Sequence, residues 1–320
     1  MSVTHQAPAR GRTTGEEPFL RTVDRRDVHR WAVGEVFLTG AAATSAGGYT
    51  AFAQLPPKHH YFTDHAPARE TPDSILVLEC CRQAATWIAH RGLSVPLDSA
   101  FHVTDWALRL TGPPGPAPSG RPRELAMRVT VDHAPRRGDA VRAARFALDL
   151  SIDGTPVGRC DIAARYSRAD EADVIRRHHR RTAPPWSSSL PAVPPGARVP
   201  AADVGRGDRA NVVLADVRRL FKGVAADLSV PRDHATLFDH PQDHYPAMIL
   251  LEAARQAAAL VRSPAAPVTG YRSRFRRFAE LDAPVRVAAA PRGDGEVAVR
   301  FRQGGTLVSE ITVEAGEVPS

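Results

Sequence analysis

The chain carries one long motif twice. His60-Tyr61-Phe62-Thr63-Asp64-His65, followed by Ile75-Leu76-Val77-Leu78-Glu79-Cys80-Cys81-Arg82-Gln83-Ala84-Ala85, returns as Thr236-Leu237-Phe238-Asp239-His240, followed by Met248-Ile249-Leu250-Leu251-Glu252-Ala253-Ala254-Arg255-Gln256-Ala257-Ala258. A repeat of this length, with the same polar residues kept inside an apolar stretch, implies two copies of one domain and one kind of site. The echo extends upstream, where Val36-Phe37-Leu38-Thr39 is matched by Val212-Val213-Leu214-Ala215. Downstream, Leu125–Val131, Phe146–Ile152 and Asp161–Tyr166 in the first copy, and Val285–Val287, Val297–Phe301 and Leu307–Val313 in the second, alternate or run apolar as strands do. Strands, one helix, then more strands in each copy predict an α+β fold in which an antiparallel sheet wraps around a central helix.

At 320 residues and 43% hydrophobic content the chain can bury two modest cores, since a domain typically takes roughly 100 to 200 residues. The boundaries follow the repeat: a disordered start over 1–20, a first domain over 21–168, a linker over 169–205 and a second domain over 206–316. No apolar run reaches the roughly 20 residues that span a bilayer, and Met1 to Glu17 has no signal-peptide core. A cytoplasmic protein without membrane contact is expected. The net charge of +7 comes from scattered arginines, Lys58 and Lys222 being the only lysines. Its densest run, Arg176-Arg177-His178-His179-Arg180-Arg181, falls in the linker and predicts a solvated connector, not a nucleic-acid clamp, because no aromatic interleaving accompanies it. Gly112–Pro118 predicts a long surface loop.

Asp73 or Ser74 can cap the first helix, which should run toward Arg91 and end at Gly92. Pro246 opens the second, which stops before Pro264. Within them Glu79, Arg82 and Gln83 lie at i, i+3 and i+4, on one face, and Glu252, Arg255 and Gln256 repeat the pattern. Buried charges cost several kcal/mol unless paired. Two roles fit such a set: a structural Glu–Arg pair with Gln bonding a strand edge, or a general acid/base with an arginine for an anion. His65 and His240 each precede a helix whose N-terminal N–H groups can stabilise developing negative charge.

The spacing of His65 and Glu79, with Glu79 to Gln83 and Glu252-Ala253-Ala254-Arg255-Gln256, resembles the hot-dog acyl-carrier-protein dehydratases. Three departures stand out: Arg82 and Arg255 replace a small residue, no Pro-Gly precedes the helix, and His240 to Glu252 is two residues shorter. Val28-His29-Arg30 with Val33–Thr39, both Glu-x-x-Arg-Gln helices, Asp243-His244-Tyr245-Pro246 and Phe275–Pro284 together resemble the A-factor synthase family over about Arg25 to Val313. That resemblance implies tandem hot-dog domains packed as a pseudo-dimer. It also implies acyl transfer from a β-ketoacyl thioester, on acyl carrier protein or coenzyme A, to a hydroxyl of dihydroxyacetone phosphate, toward a γ-butyrolactone signal. No cofactor is required.

For that chemistry Glu252 or Glu79 is the candidate base, Arg255 or Arg82 the anion ligand, and His240 and His65 their catalytic neighbours, with the histidine of one copy working beside the Glu of the other. Gln256, Gln83, His244 and Arg274 are candidate substrate contacts. Arg272, Arg276 and Arg277 flank the same late strand. Cys80 and Cys81 align with Ala253 and Ala254 and read as core. His234, Asp239, His240, Asp243 and His244 fit no helical two-His spacing, so no metal is expected. A hot-dog dehydratase, a thioesterase and a noncatalytic acyl binder are the alternatives, and further pairing into a homodimer stays open.

Overall fold

A computed structural model describes residues 18–65, 72–112, 120–133, 141–168, 170–171, 174, 176, 180, 182–192 and 196–316. In the first half, strands β1 (Leu38–Ala43) and β2 (Tyr49–Leu55) precede helix α1 (Ser74–Trp87). Then come β3 (Ala100–Leu110), β4 (Arg123–His133), β5 (Ala143–Ile152) and β6 (Thr155–Ser167). The second half repeats the order with β7 (Leu214–Leu220), β8 (Gly223–Leu228), helix α2 (Ala247–Val261), β9 (Val268–Phe275), β10 (Arg286–Pro291), β11 (Glu296–Gln303) and β12 (Thr306–Ala315). All the strands join in one antiparallel sheet ordered β1-β2-β4-β5-β6-β3-β9-β12-β11-β10-β8-β7. The order reads the same from either edge once β1–β6 are exchanged with β7–β12, which is the signature of two hot-dog domains related by a pseudo-twofold axis. The axis runs through the β3–β9 pairing, where Asp105 faces Arg274 and Arg109 faces Gly270.

Local chemistry sets each helix. Asp73 caps α1 through its Oδ1, which accepts the Ile75 N–H at 2.7 Å. A π-helical turn over Ile88–Gly92 ends α1. A side chain at Gly92 would sit 2.3 Å from the Tyr49 hydroxyl, so glycine there leaves the tyrosine ring its place against the end of the helix. Pro246 stands at the N-cap of α2, where its missing N–H costs nothing. Both helices are buried on nearly every face, because the sheet curls around them. Among the described residues no helix is long and apolar enough to cross a membrane.

Arg176 and Arg180 depart from the solvated connector that their run suggests. Arg176 is buried beneath the second half, ion-paired to Asp243 and Glu280 and lying 4.2 Å over the Phe278 ring. Arg180 pairs with Glu280 and Asp282. Four carboxylate contacts and an aromatic face explain why this pair is docked where a charge count alone predicts water. The rest of that run, most of the Gly112–Pro118 loop and the start Met1–Glu17 lie outside the described residues.

One tight position in the central sheet yields a stability prediction. Gly158 in β6 has φ +151, and an added Cβ would meet the Arg109 carbonyl oxygen at 2.1 Å. Gly158→Ala must therefore force β6 away from β3, and a loss of about 2–4 kcal/mol is expected. Thermal or urea unfolding of the variant checks it, and an unchanged midpoint would refute the packing described.

Candidate functional site

Each central helix holds a carboxylate tied to two guanidinium groups. Glu79 accepts from Arg82 (Nε to Oε2 at 2.8 Å, Nη2 to Oε1 at 2.7 Å), from Arg30 (Nε to Oε1 at 3.1 Å) and from Gln83 (Nε2 to Oε1 at 2.7 Å). Glu252 repeats the arrangement with Arg255 (2.9 and 2.7 Å), Arg206 (Nε to Oε1 at 3.1 Å, Nη2 to Oε2 at 3.0 Å) and Gln256 (2.5 Å). The glutamines then stitch helix to sheet. Gln83 Oε1 accepts from the Phe37 and Leu38 N–H groups and Gln256 Oε1 from Val213 N–H, while their amides donate to the Glu35 and Asn211 carbonyls.

Arg30 and Arg206 were not on the sequence-derived site, yet the repeat contains them. Val28-His29-Arg30 and Val204-Gly205-Arg206 occupy matching places after short 3-10 turns, and His29 (φ 52) and Gly205 (φ 71) both adopt the left-handed conformation that throws the arginine inward. Each arginine also crosses to the other half: Arg30 Nη1 donates to the Thr236 carbonyl, and Arg206 Nη1 to the Tyr61 and Asp64 carbonyls. Two aspartates complete the exchange, since Asp239 accepts the Trp31 and Ala32 N–H groups and Asp64 those of Gly207 and Asp208.

These bonds bear directly on the two candidate bases. Burial alone would raise both carboxyl pKa values, but the flanking guanidiniums and amides outweigh it and hold Glu79 and Glu252 down at about 2. Both side chains are 0% exposed. A carboxylate so saturated is a poor proton acceptor and cannot touch a substrate, so the geometry favours the structural role for Glu79, Glu252, Gln83 and Gln256. Arg255, at 3% exposure, is sealed in as well, whereas the Arg82 side chain keeps 19% and has no partner for Nη1 among the described residues.

His240 pairs through Nδ1 with Asp239 at 3.2 Å and stacks on Trp31 of the first half, with Gln242 at its Nε2. His240, Arg82 and His90 all act on the half-buried His29 imidazole, whose pKa is driven down to about 3 first by desolvation and then by Arg82 and the two histidine rings. His65 lies 3.3 Å from the other oxygen of the capping Asp73, beside Ser74, whose hydroxyl is 3.2 Å from that of the second half's Tyr271. Among the described residues the polar partners of His240 are thus Asp239 and Gln242, and not a central glutamate of either half.

Two predicted substrate contacts stand elsewhere. His244 bonds Asp243 and packs on Phe278, and Arg274 sits on the outer face of β9 near Asp105 at 3.5 Å. Burial pushes the Cys80 and Cys81 thiols well above their usual range, which suits core residues. Among the described residues the one group of three or more side chains with metal-ligand spacing is Glu35, His59 and His60, whose donor atoms lie within 4.8 Å of one another. Periodicity could not have found it, because Glu35 and the two histidines come from separate turns that meet only in the fold.

The model of a family described as the A-factor biosynthesis hotdog domain matches residues 11–167 and 189–318. A Streptomyces virginiae protein named 2-oxo-3-(phosphooxy)propyl 3-oxoalkanoate synthase is 34% identical over 301 residues, covering 90% of this chain and 95% of its own. A Streptomyces coelicolor protein of the same name is 34% identical over 307 residues, covering 89% of each. Among solved structures, the 12:0-ACP thioesterase from Umbellularia californica superposes with a TM-score of 0.51 at 10% identity, over 83% of this chain and 97% of that one. An acyl-ACP thioesterase from Bacteroides thetaiotaomicron gives 0.50 at 11% identity over 83% and 97%. At such identities these two attest the fold alone.

The doubly paired carboxylates give two predictions. Glu252→Gln leaves Arg206 and Arg255 buried without a counter-charge, and a destabilisation of about 3–5 kcal/mol is expected. Glu79→Gln should cost less, because Arg82 is partly solvated; equal or negligible shifts in the urea midpoint would contradict this. The pH dependence has a definite sign. A carboxyl held below its unfolded value, about 4.3, stabilises the native state above that pH and ceases to do so as pH falls toward 2. Each of the two groups accounts for stability on the order of 3 kcal/mol, and calorimetry from pH 6 to pH 2.5 should show Tm falling steeply below about pH 5.

Proposed function

Because the chain belongs to the A-factor biosynthesis hot-dog family, we propose that it is an acyltransferase joining a β-ketoacyl thioester to a hydroxyl of dihydroxyacetone phosphate. The observation that carries this reading is the end-to-end match to synthases named for that ester, which spans both halves. The reaction forms a C–O bond at the thioester carbonyl and breaks its C–S bond, releasing a thiol, so no electron carrier enters its balance. Acyl carrier protein or coenzyme A would supply the thiol.

In this reading the two central glutamates hold the fold and leave proton transfer to histidine. The partly exposed guanidinium of Arg82, which acts with His240 on the His29 ring, would take the phosphate, with Nη1 as its donor. Trp31, stacked on His240 and 61% exposed, would form an aromatic wall of the opening at which substrate enters. Arg255 would remain the structural counterpart in the second half, and His65, bound at the α1 N-terminus, would be the second half-site's histidine.

Incubating the protein with a β-ketoacyl thioester and dihydroxyacetone phosphate, and following products by mass spectrometry, tests the assignment. The phosphorylated ester is expected. Free β-keto acid would indicate a thioesterase instead, and an enoyl thioester from a β-hydroxyacyl donor a dehydratase. Arg82→Lys retains the charge beside Glu79 but loses the planar fork, so KM for dihydroxyacetone phosphate should rise about tenfold with a smaller change for the thioester; equal effects on both substrates would remove Arg82 from the phosphate site.

A further inference from the structure

The pseudo-twofold axis supplies an internal control for the group at Glu35. His59 Nδ1 accepts the Tyr61 and Phe62 N–H groups at 3.2 Å, and its Nε2 faces Glu35 Oε1 at 3.3 Å. In the other half His234 Nδ1 accepts the Thr236 and Leu237 N–H groups, and its Nε2 faces Asn211 Oδ1 at 2.9 Å. The two histidines therefore do one job, holding a turn against the segment before the first strand. Because Nδ1 is an acceptor in both, the neutral ring carries its proton on Nε2. His59 thus has no bare nitrogen for a metal ion, and Asn211 shows that the turn needs no carboxylate.

The halves differ in what surrounds that shared bond. Glu35, His60 and Thr236 stand on one side of the axis, where Asn211, Ala235 and Tyr61 stand on the other. Thr236 Oγ1 lies 2.9 Å from Glu35 Oε1 and 2.9 Å from His60 Nε2. A threonine hydroxyl has one proton. Donated to the carboxylate, it leaves the oxygen lone pair to accept from His60 Nε2–H. The chain His60 Nε2–H to Thr236 Oγ1–H to Glu35 fixes the tautomer, so that His60 Nδ1 presents a lone pair on an exposed ring and bonds no described residue. Glu35 itself is buried, and its Oε2 has no partner among the described residues. It is a carboxylate kept under the surface with capacity to spare. The same turn, five residues from Thr236 to His240, carries the Arg30 bond at its start and the His240–Trp31 contact at its end, so His60 borders the opening assigned above.

We propose that His60 is the general base of the acyl transfer, oriented by Thr236 and Glu35 as positioning residues, and this rests on the acyl-transfer reading. His60 Nδ1 takes the proton from the acceptor hydroxyl as its oxygen attacks the thioester carbonyl carbon. The tetrahedral intermediate then collapses, the C–S bond breaks, and the imidazolium returns that proton to the departing thiolate sulfur. The positive charge on the ring is balanced meanwhile by Glu35 through the threonine hydroxyl. Since Ala235 occupies the equivalent place in the second half, only one of the two half-sites has this base.

His60→Ala reproduces the residue that the second half already tolerates and should fold with an unchanged Tm. Its kcat for ester formation should fall at least about a hundredfold, in the range of general-base loss, with KM for both substrates within about threefold, and added imidazole should restore part of the rate. Thr236→Val should lower kcat about tenfold, and Thr236→Ser, which keeps the hydroxyl, should recover most of that loss. Nitrogen-15 histidine spectra read the relay without turnover: His60 should appear as the Nε2–H tautomer in the parent protein and lose that preference in Thr236→Val. Turnover within twofold of the parent in His60→Ala, an Nδ1–H tautomer, or one equivalent of tightly bound zinc that His60→Ala abolishes would each overturn the proposal. If the parent protein makes no ester at all, the acyl-transfer reading falls and the tautomer measurement alone decides the relay.

Discussion

The fold depends on placing a full negative charge at the centre of each apolar helix and surrounding it with two guanidiniums, one from the helix and one from the segment before the first strand. Such a buried set is expensive to desolvate, and its return is positional. The second guanidinium reaches through to a carbonyl of the opposite half, so a helix cannot turn within its sheet without disturbing the neighbouring domain. Hydrophobic burial holds each core together, but apolar contacts have little directional preference. The carboxylate–guanidinium set supplies direction, and through Arg30 and Arg206 it lines up the turns that border the proposed site.

The repeat makes the architecture readable from the amino-acid sequence. Strand–helix–strand order, the Asp73 cap, the Pro246 start and the shared Glu-x-x-Arg-Gln face all correspond to elements seen in the structure. The strand that joins the halves was harder to see. β3, Ala-Phe-His-Val-Thr-Asp-Trp-Ala-Leu-Arg-Leu, is fully buried only at Trp106 and Leu108, within the stretch that pairs with β9, and partly buried from Ala100 to Asp105, so it lacks the clean period-two pattern of β4 and β5.

The candidate site was legible in part, and the misassignments have physical causes. Glu, Arg and Gln at helical spacing signal a polar cluster, but spacing cannot tell whether further partners arrive from outside the helix. Arg30 and Arg206 are those partners, and their arrival turns two apparent bases into saturated acceptors. Glu35, His60 and Thr236 are separated by long stretches of chain, and no periodicity relates them. Arg176 misled for a related reason, since a basic run announces its charge and not the carboxylates that a distant loop brings to it.

The continuous sheet has a consequence for how such a protein can change. In a dimer of identical chains every replacement appears at both half-sites, so a residue that improves one and spoils the other has no net advantage. Here β3 and β9 fuse two copies that are encoded separately. A single exchange at the position shared by His60 and Ala235 alters one half-site and leaves its twin intact. The covalent tandem thereby frees one copy to remain a frame while the other specialises.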